Sequence, residues 1–289
     1  MSAVRTVARR GLPAALLALC AAVAAAPPVS AGTVNCTNIA SLPATLTTQG
    51  TYCLKQDVST SVATGTAITI AANNITIDCN GFKVGGLGAG GATMTTGIGT
   101  AGDRLNATVR GCAVRGFMIG LDLKGDGHLV EDNRFDSNTT VGMRVAGDAS
   151  MVRGNRVFST GLGPHAWPSV GIHAIGSLDV SDNSVSRVVV VQGSNLGAFG
   201  IYTQSNLEGV VARNHVRGIQ GDAVASSFAI RNDDAGHVSL RDNTVSDDGV
   251  GFAAGIFCNG ATGVASGNDV LGFEFPISGC LQGNGNTLQ

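Results

Sequence analysis

Val180-Ser181-Asp182-Asn183-Ser184-Val185 and Leu240-Arg241-Asp242-Asn243-Thr244-Val245 are two copies of one pattern. Its reading decides the fold. An Asn-centred turn lies between two apolar positions, and nine segments share it, centred on Asn80, Cys112, Asn133, Asn155, Asn183, Asn214, Asn243, Asn268 and Asn286. Asn tolerates the left-handed backbone conformation, and its amide can bond the same atom one repeat away. A residue that turns sharply between two strands and stacks on its own copies predicts a coiled β solenoid.

A second motif runs in phase with the first. It reads Gly97-Ile98, Gly120-Leu121, Gly142-Met143, Gly171-Ile172, Gly200-Ile201, Ala229-Ile230, Gly255-Ile256 and Pro276-Ile277. From each of these apolar residues to the next turn centre takes 9 to 14 residues, whereas the path from turn centre to the next apolar residue varies from 9 to 18. The length variation therefore falls on one corner of each coil. Insertions stacked on one edge build a wall, and such walls flank binding faces.

The Asn register, with Ala67-Ile68-Thr69-Ile70 and Asn74-Ile75-Thr76-Ile77-Asp78-Cys79-Asn80-Gly81 as a first coil, resembles the right-handed parallel β-helix proteins of the pectate-lyase-like superfamily, of exported bacterial type. The resemblance covers roughly residues 66–289. It implies an all-β, single-stranded right-handed parallel β-helix of about nine coils. It also implies three short strands per coil. The Asn turn joins the second strand to the third, and the long loops lead back into the first.

Residues 1–31 read as a signal peptide: Arg5, Arg9 and Arg10, an apolar run from Leu12 to Ala26, and a small-x-small site at Val29-Ser30-Ala31. Leu19 is too large for a lipoprotein cleavage before Cys20. The expected division is 1–31 leader, 32–65 N-terminal cap and 66–289 β-helix, in an exported chain that is periplasmic or extracellular. Without the leader, 15 Lys and Arg stand against 20 Asp and Glu, a net charge of −5. No basic excess marks the chain for nucleic acid, and no later segment reads as a membrane span.

Six cysteines remain after the leader, an even number in an exported chain, which predicts disulfides. Cys79 lies beside the first turn and Cys112 occupies the second, so the register stacks them one coil apart. Cys258 and Cys280 follow Ile256 and Ile277 in consecutive coils, which leaves Cys36 and Cys53 to pin the cap.

Strand alternation turns the Gly-Ile motif into a map. If the Ile points inward, the next residue points outward. Coil by coil these are Gly99, Asp122, Arg144, His173, Tyr202, Arg231, Phe257 and Ser278. The long loops beside them carry His165 and Trp167, then Asn195, then Asp222, then Asp247 and Asp248. A groove with a Trp platform and two arginines suits an extended acidic polysaccharide, because the ring stacks on a sugar and a guanidinium binds a carboxylate at two points.

β-Elimination at a uronate needs a base, an acid and a counter-charge for the carboxylate. His173 and Tyr202 are the expected base and acid, Arg144 and Arg231 the counter-charges. Asp122, His165, Trp167, Asp222 and Phe257 are the expected substrate contacts. Hydrolysis needs two carboxylates. Asp247-Asp248 and Asp233-Asp234 offer pairs, but the Gly-His-Gly and Arg-Ile-Lys runs of polygalacturonases, which share the fold, are absent. A lyase is therefore favoured over a hydrolase. Calcium-dependent relatives cluster acids in the groove; here Asp122 is the single acid in the column, which supports a Ca2+ site only weakly, so no metal ligands and no cofactor are assigned. The alternative is a non-catalytic β-helix that binds a glycan or a cell-surface partner, because the scaffold by itself does not choose between them. The expected partner in either case is a polysaccharide.

Overall fold

The computed structural model describes residues 35–204, 208–233, 236–247, 253–260 and 263–289. The expected leader, Asp234 and Asp248 lie outside the described residues. Those described belong to one compact unit, Thr33–Gln289.

The chain winds into three parallel sheets of ten, eleven and ten strands, ordered by sequence along the solenoid. Sheet one takes the Gly-Ile strands, such as Val141–Ala146, Ser169–Ile175, Ala198–Gln204 and Ser227–Asp233. Sheet two takes strands such as Leu178–Ser181, and sheet three strands such as Ser184–Val189. The Asn turn joins sheet two to sheet three. The coil number is close to the nine expected.

The middle coils are held because each of their strands puts an apolar residue on the axis. Met143, Ile172, Ile201 and Ile230 from sheet one, Val152, Val180 and Val211 from sheet two, and Val157, Val185 and Val216 from sheet three are all fully buried. One continuous core results. At about 25 cal/mol per Å² of apolar surface removed from water, this stack is the main favourable term.

The turn centres form a ladder. The Oδ1 of Asn183 accepts from the backbone N–H of Asn155 at 2.9 Å and from its Nδ2 at 3.0 Å, while Asn183 Nδ2 donates to the Val152 carbonyl at 3.0 Å. The same contacts link Asn133, Asn155, Asn183, Asn214, Asn243, Asn268 and Asn286. Polar atoms that would be costly to bury unpaired are thereby satisfied between coils. The left-handed residue is the one before the ladder Asn: Asp132, Gly154, Asp182, Arg213 and Asp242 all have positive φ. Asn80 stands apart. Four residues separate the paired positions Asp78 and Lys83, against two between Arg110 and Ala113. Asn80 Nδ2 donates instead to the Leu54 carbonyl.

The ladder ends at Cys112, whose N–H donates to Asn133 Oδ1, and a disulfide to Cys79 continues the link into the next coil. Cys258–Cys280 and Cys36–Cys53 are the other two bridges. The N-terminal region is itself wound in register. Ala44–Leu46 extends sheet one, Gly50–Cys53 sheet two and Val58–Ser59 sheet three. Leu46 and Leu54 close the core there, while at the other end Phe275 and Leu281 remain exposed.

Candidate functional site

The outward column forms as the alternation predicts. Gly99, Asp122, Arg144, His173, Tyr202, Arg231, Phe257 and Ser278 are register partners from strand to strand. Parallel strands lie about 4.8 Å apart, so each side chain meets its neighbours.

Those neighbours satisfy one another. Arg144 grips Asp122 at two points, Nε to Oδ1 at 2.7 Å and Nη2 to Oδ2 at 2.6 Å. These bonds hold the Arg144 guanidinium above its ordinary pKa. His173 Nε2 meets Gln204 Oε1 at 2.7 Å. With the amide oxygen as acceptor, Nε2 carries the proton and Nδ1 keeps its lone pair. Burial pushes the His173 pKa down, so the ring is neutral near pH 7. The His173 and Tyr202 rings stack at 5.0 Å with planes 6° apart.

Further along, the Tyr202 hydroxyl donates to Asp233 Oδ2 at 2.7 Å. Arg231 donates to the same carboxylate through Nε and Nη2, each at 2.8 Å. Burial pushes the Asp233 carboxyl up, but the Arg231 and Tyr202 hydrogen bonds outweigh it and hold the group below its ordinary value. The Arg231 guanidinium also lies 5.1–5.7 Å from the ring centres of Phe199, Tyr202, Phe228 and Phe257. It is the hub of an aromatic cluster as much as a surface charge.

Two of these partners lie one outward position further along the strand than the column. Gln204 and Asp233 pair in a third outward row. Ile119, Val141, Val170, Phe199, Phe228 and Ala254 form a further row that packs as a separate apolar cluster with Tyr202 and Phe257. Counted from the core Ile, strict alternation would send Phe199 inward. It fails because Gly and Ile both face the axis. A Cβ on Gly171 would lie 2.5 Å from the Gly200 carbonyl oxygen and 2.6 Å from Val185 Cγ1. Only glycine leaves room there for the next coil. The sequence signal was present: the residue before the glycine is apolar in coil after coil.

The loop wall bends over this face. Trp167, 55% exposed, and Pro168 enclose a cleft of about 180 Å³ with Ile119, Val141, Arg144, Val170, His173, Phe199 and Tyr202. Trp167 is thus brought to Arg144, His173 and Tyr202. His165 is half-buried and borders a second, small hollow with Thr139, Val190 and Leu196, a hollow that Trp167 also lines.

Asp222 is buried and turned to its own loops. It accepts backbone N–H groups of Asn195, Ala223 and Gly193, and the Asn195 bond above all holds its carboxyl below the ordinary range. It anchors the wall and does not line the cleft. Asp247 follows the sheet-three strand Thr244–Ser246 and borders a hollow on that side of the molecule. Among the described residues, no three His, Cys, Asp or Glu side chains gather as a metal site would require, and no helix is long and apolar enough to cross a membrane.

Chemically, the face is a partly apolar cleft with one exposed indole, one neutral imidazole and one phenol. Its two arginines are each compensated by a carboxylate, Arg144 by Asp122 in the column and Arg231 by Asp233 in the neighbouring row.

Comparison with known proteins agrees with the architecture. The Dettilon tailspike protein superposes with a TM-score of 0.56 at 16% identity, over 87% of this chain and 58% of that one. The enzymatically active domain of tailspike protein 2 from bacteriophage CBA120 gives 0.54 at 15% identity, over 78% of this chain and 38% of that one. This chain thus spans little more than half of the first structure and less of the second, and at such identities the likeness concerns the fold. No curated protein matches the sequence. The family model for the right-handed β-helix region matches residues 96–287, and the chain belongs to that family.

Proposed function

We propose that the chain is exported and binds an extended glycan along the outer face of sheet one, with a sugar ring seated between Trp167 and the His173–Tyr202 stack. One observation carries this reading: an indole 55% exposed overhangs a cleft floored by Val141, Val170 and Phe199. Sugar rings present apolar faces to aromatic rings and hydroxyls to polar edges. Here the edges are the His173 Nδ1, the Tyr202 hydroxyl and the leftover Nη1 of Arg144. Three disulfides fit an oxidising compartment, and the Arg-rich, apolar segment at residues 1–31 supplies an export signal.

The test is calorimetric titration with a panel of neutral and acidic polysaccharides, using the parent and Trp167→Ala. Binding by the parent that weakens about tenfold in the variant supports the cleft, a change of ~1.4 kcal/mol. Equal binding by both moves the site elsewhere.

β-Elimination is the second reading, favoured by the neutral His173 beside Tyr202. In it His173 Nδ1 removes the C5 proton of a uronate and the Tyr202 hydroxyl protonates the departing 4-oxygen. The commitment of both arginines to Asp122 and Asp233 weighs against it, because counter-charge at the substrate carboxylate would fall to Nη1 groups alone. Ultraviolet detection of unsaturated ends decides the matter: a polyuronate that binds without giving unsaturated product marks the protein as a binder.

A further inference from the structure

The three sheets treat their arginines differently. On sheet one, Arg144 and Arg231 each hold a carboxylate. On sheet two, Arg110 and Arg153 hold Asp78 and Glu131, and in the turn that follows it Arg213 holds Asp182. The early coils of sheet three follow suit, with Arg115 and Arg134 both near Asp136. In its middle coils the pattern stops. Arg156, Arg187 and Arg217 are exposed, and among the described residues none pairs with a carboxylate. The chain is acidic as a whole, at −2, so this positive charge is local.

The backbone makes room beside these charges. Arg187 sits in the left-handed region with φ 56°, where the flanking coils carry Ser159 at 53° and Gly218 at 61°. A long side chain is unusual in that conformation. The small neighbours leave hollows on either side of it. One, about 260 Å³, is lined by Arg156, Phe158, Ser159, Ser184 and Ser186 together with Arg187 and Arg217. The other, about 370 Å³, shares Ser186, Arg187 and Arg217 and continues to Gly218, Ser246 and Asp247. Three guanidinium groups with no carboxylate partner among the described residues lie beside serine hydroxyls in the same hollows, and such donors are the chemistry of an oxyanion site.

We propose that this face of sheet three binds an anionic glycan, through sulfate or carboxylate groups spaced along the polymer, independently of the sheet-one cleft. A polymer suits the site because the two hollows run on from one another across consecutive coils. A glycan suits it better than a nucleic acid. The ring on this face, Phe158, is covered by Arg134 at 4.9 Å and offers bases no free platform. Asp247, at the end of the larger hollow, opposes the anion and limits affinity.

The experiment titrates the full chain with dextran sulfate, polygalacturonate and uncharged dextran at low and moderate salt. At least one polyanion is expected to bind, more weakly as salt rises, and uncharged dextran not to bind; the tighter polyanion names the group recognised. Arg187→Asn with Arg217→Gln should weaken binding at least tenfold without lowering the melting temperature, since asparagine keeps the left-handed conformation. Asp247→Asn should strengthen it; all of these variants are made in a Trp167→Ala background, where the sheet-one cleft no longer contributes, so that the signal read is that of sheet three. The proposal is overturned if the double variant binds like the parent, if uncharged dextran binds equally, or if a single-stranded DNA of matched charge binds more tightly than either polyanion.

Discussion

The imidazole of His173 and the phenol of Tyr202 lie face to face, 5.0 Å between centroids and 6° between planes, because strand register makes them partners on adjacent coils. The stack joins two networks. His173 leads to Gln204, and Tyr202 leads through Asp233 to Arg231. A substrate ring on this pair would therefore feel a surface whose orientation is already set by half-buried hydrogen bonds.

Tyr202→Phe keeps the stack and deletes the bond to Asp233. The expected result is a modest loss of stability, about 0.5–1.5 kcal/mol for one hydrogen bond, with glycan affinity reduced only if the hydroxyl touches the sugar. Parallel melting and titration curves separate the two effects. An unchanged melting temperature would show that the hydroxyl is not held by Asp233.

Arg231 sits among four aromatic rings and on a carboxylate with which it shares a strand. Arg231→Lys removes the planar fork and the stacking together. Stability should fall by about 1–3 kcal/mol, measured by denaturant titration, whether or not a ligand is present. A lysine variant as stable as the parent would reduce Arg231 to an ordinary surface charge.

Acid should destabilise the protein first through its histidines. Burial lowers the pKa of both His128 and His173 from the ordinary 6.5. The folded chain thus binds fewer protons than the unfolded one. Their contribution is complete above about pH 6.5 and is lost as pH falls toward and through the depressed folded values, each with a slope of up to ~1.4 kcal/mol per pH unit. The depressed carboxyls Asp182, Asp222 and Asp233 act lower, as pH falls through and below their ordinary 3.8. Melting temperatures between pH 7.5 and 5 should decline, and His173→Asn should flatten the decline. A pH-independent melting temperature across that range would contradict the burial of both rings.

Asn183→Ala cuts a rung of the ladder. It strips the Asn155 N–H of its acceptor and leaves the Val152 carbonyl without its donor. The cost should be about 1–3 kcal/mol per buried group left unpaired, read as a melting temperature several degrees lower. An Asn80→Ala variant should cost less, because Asn80 lies outside the ladder and is exposed.

Much of this was legible in the chain itself. The Asn turns, the inward Ile residues and the cysteine register are set by periodicity, because a solenoid repeats its local geometry and places like residues on like atoms. The outward column follows from alternation for the same reason, and so Arg144, His173, Tyr202 and Arg231 can be placed side by side from sequence alone. What only the tertiary structure decided is where each side chain spends its bonds. Gly171 and its equivalents turn inward because the next coil's carbonyl oxygen leaves no room for a Cβ. That break in alternation turns the Val170–Phe199–Phe228 row away from the axis, where it packs as its own apolar cluster, which no strict count of strand residues would reveal. Arg231 commits two of its donors to Asp233, two residues on in its own strand, and Asp222 clamps the loop backbone at Asn195, because rotamers and loop paths settle which acceptor a donor meets. The same physics left Arg156, Arg187 and Arg217 uncompensated on sheet three: sequence lists the arginines alike, and only the winding of the coils determines which of them find a carboxylate.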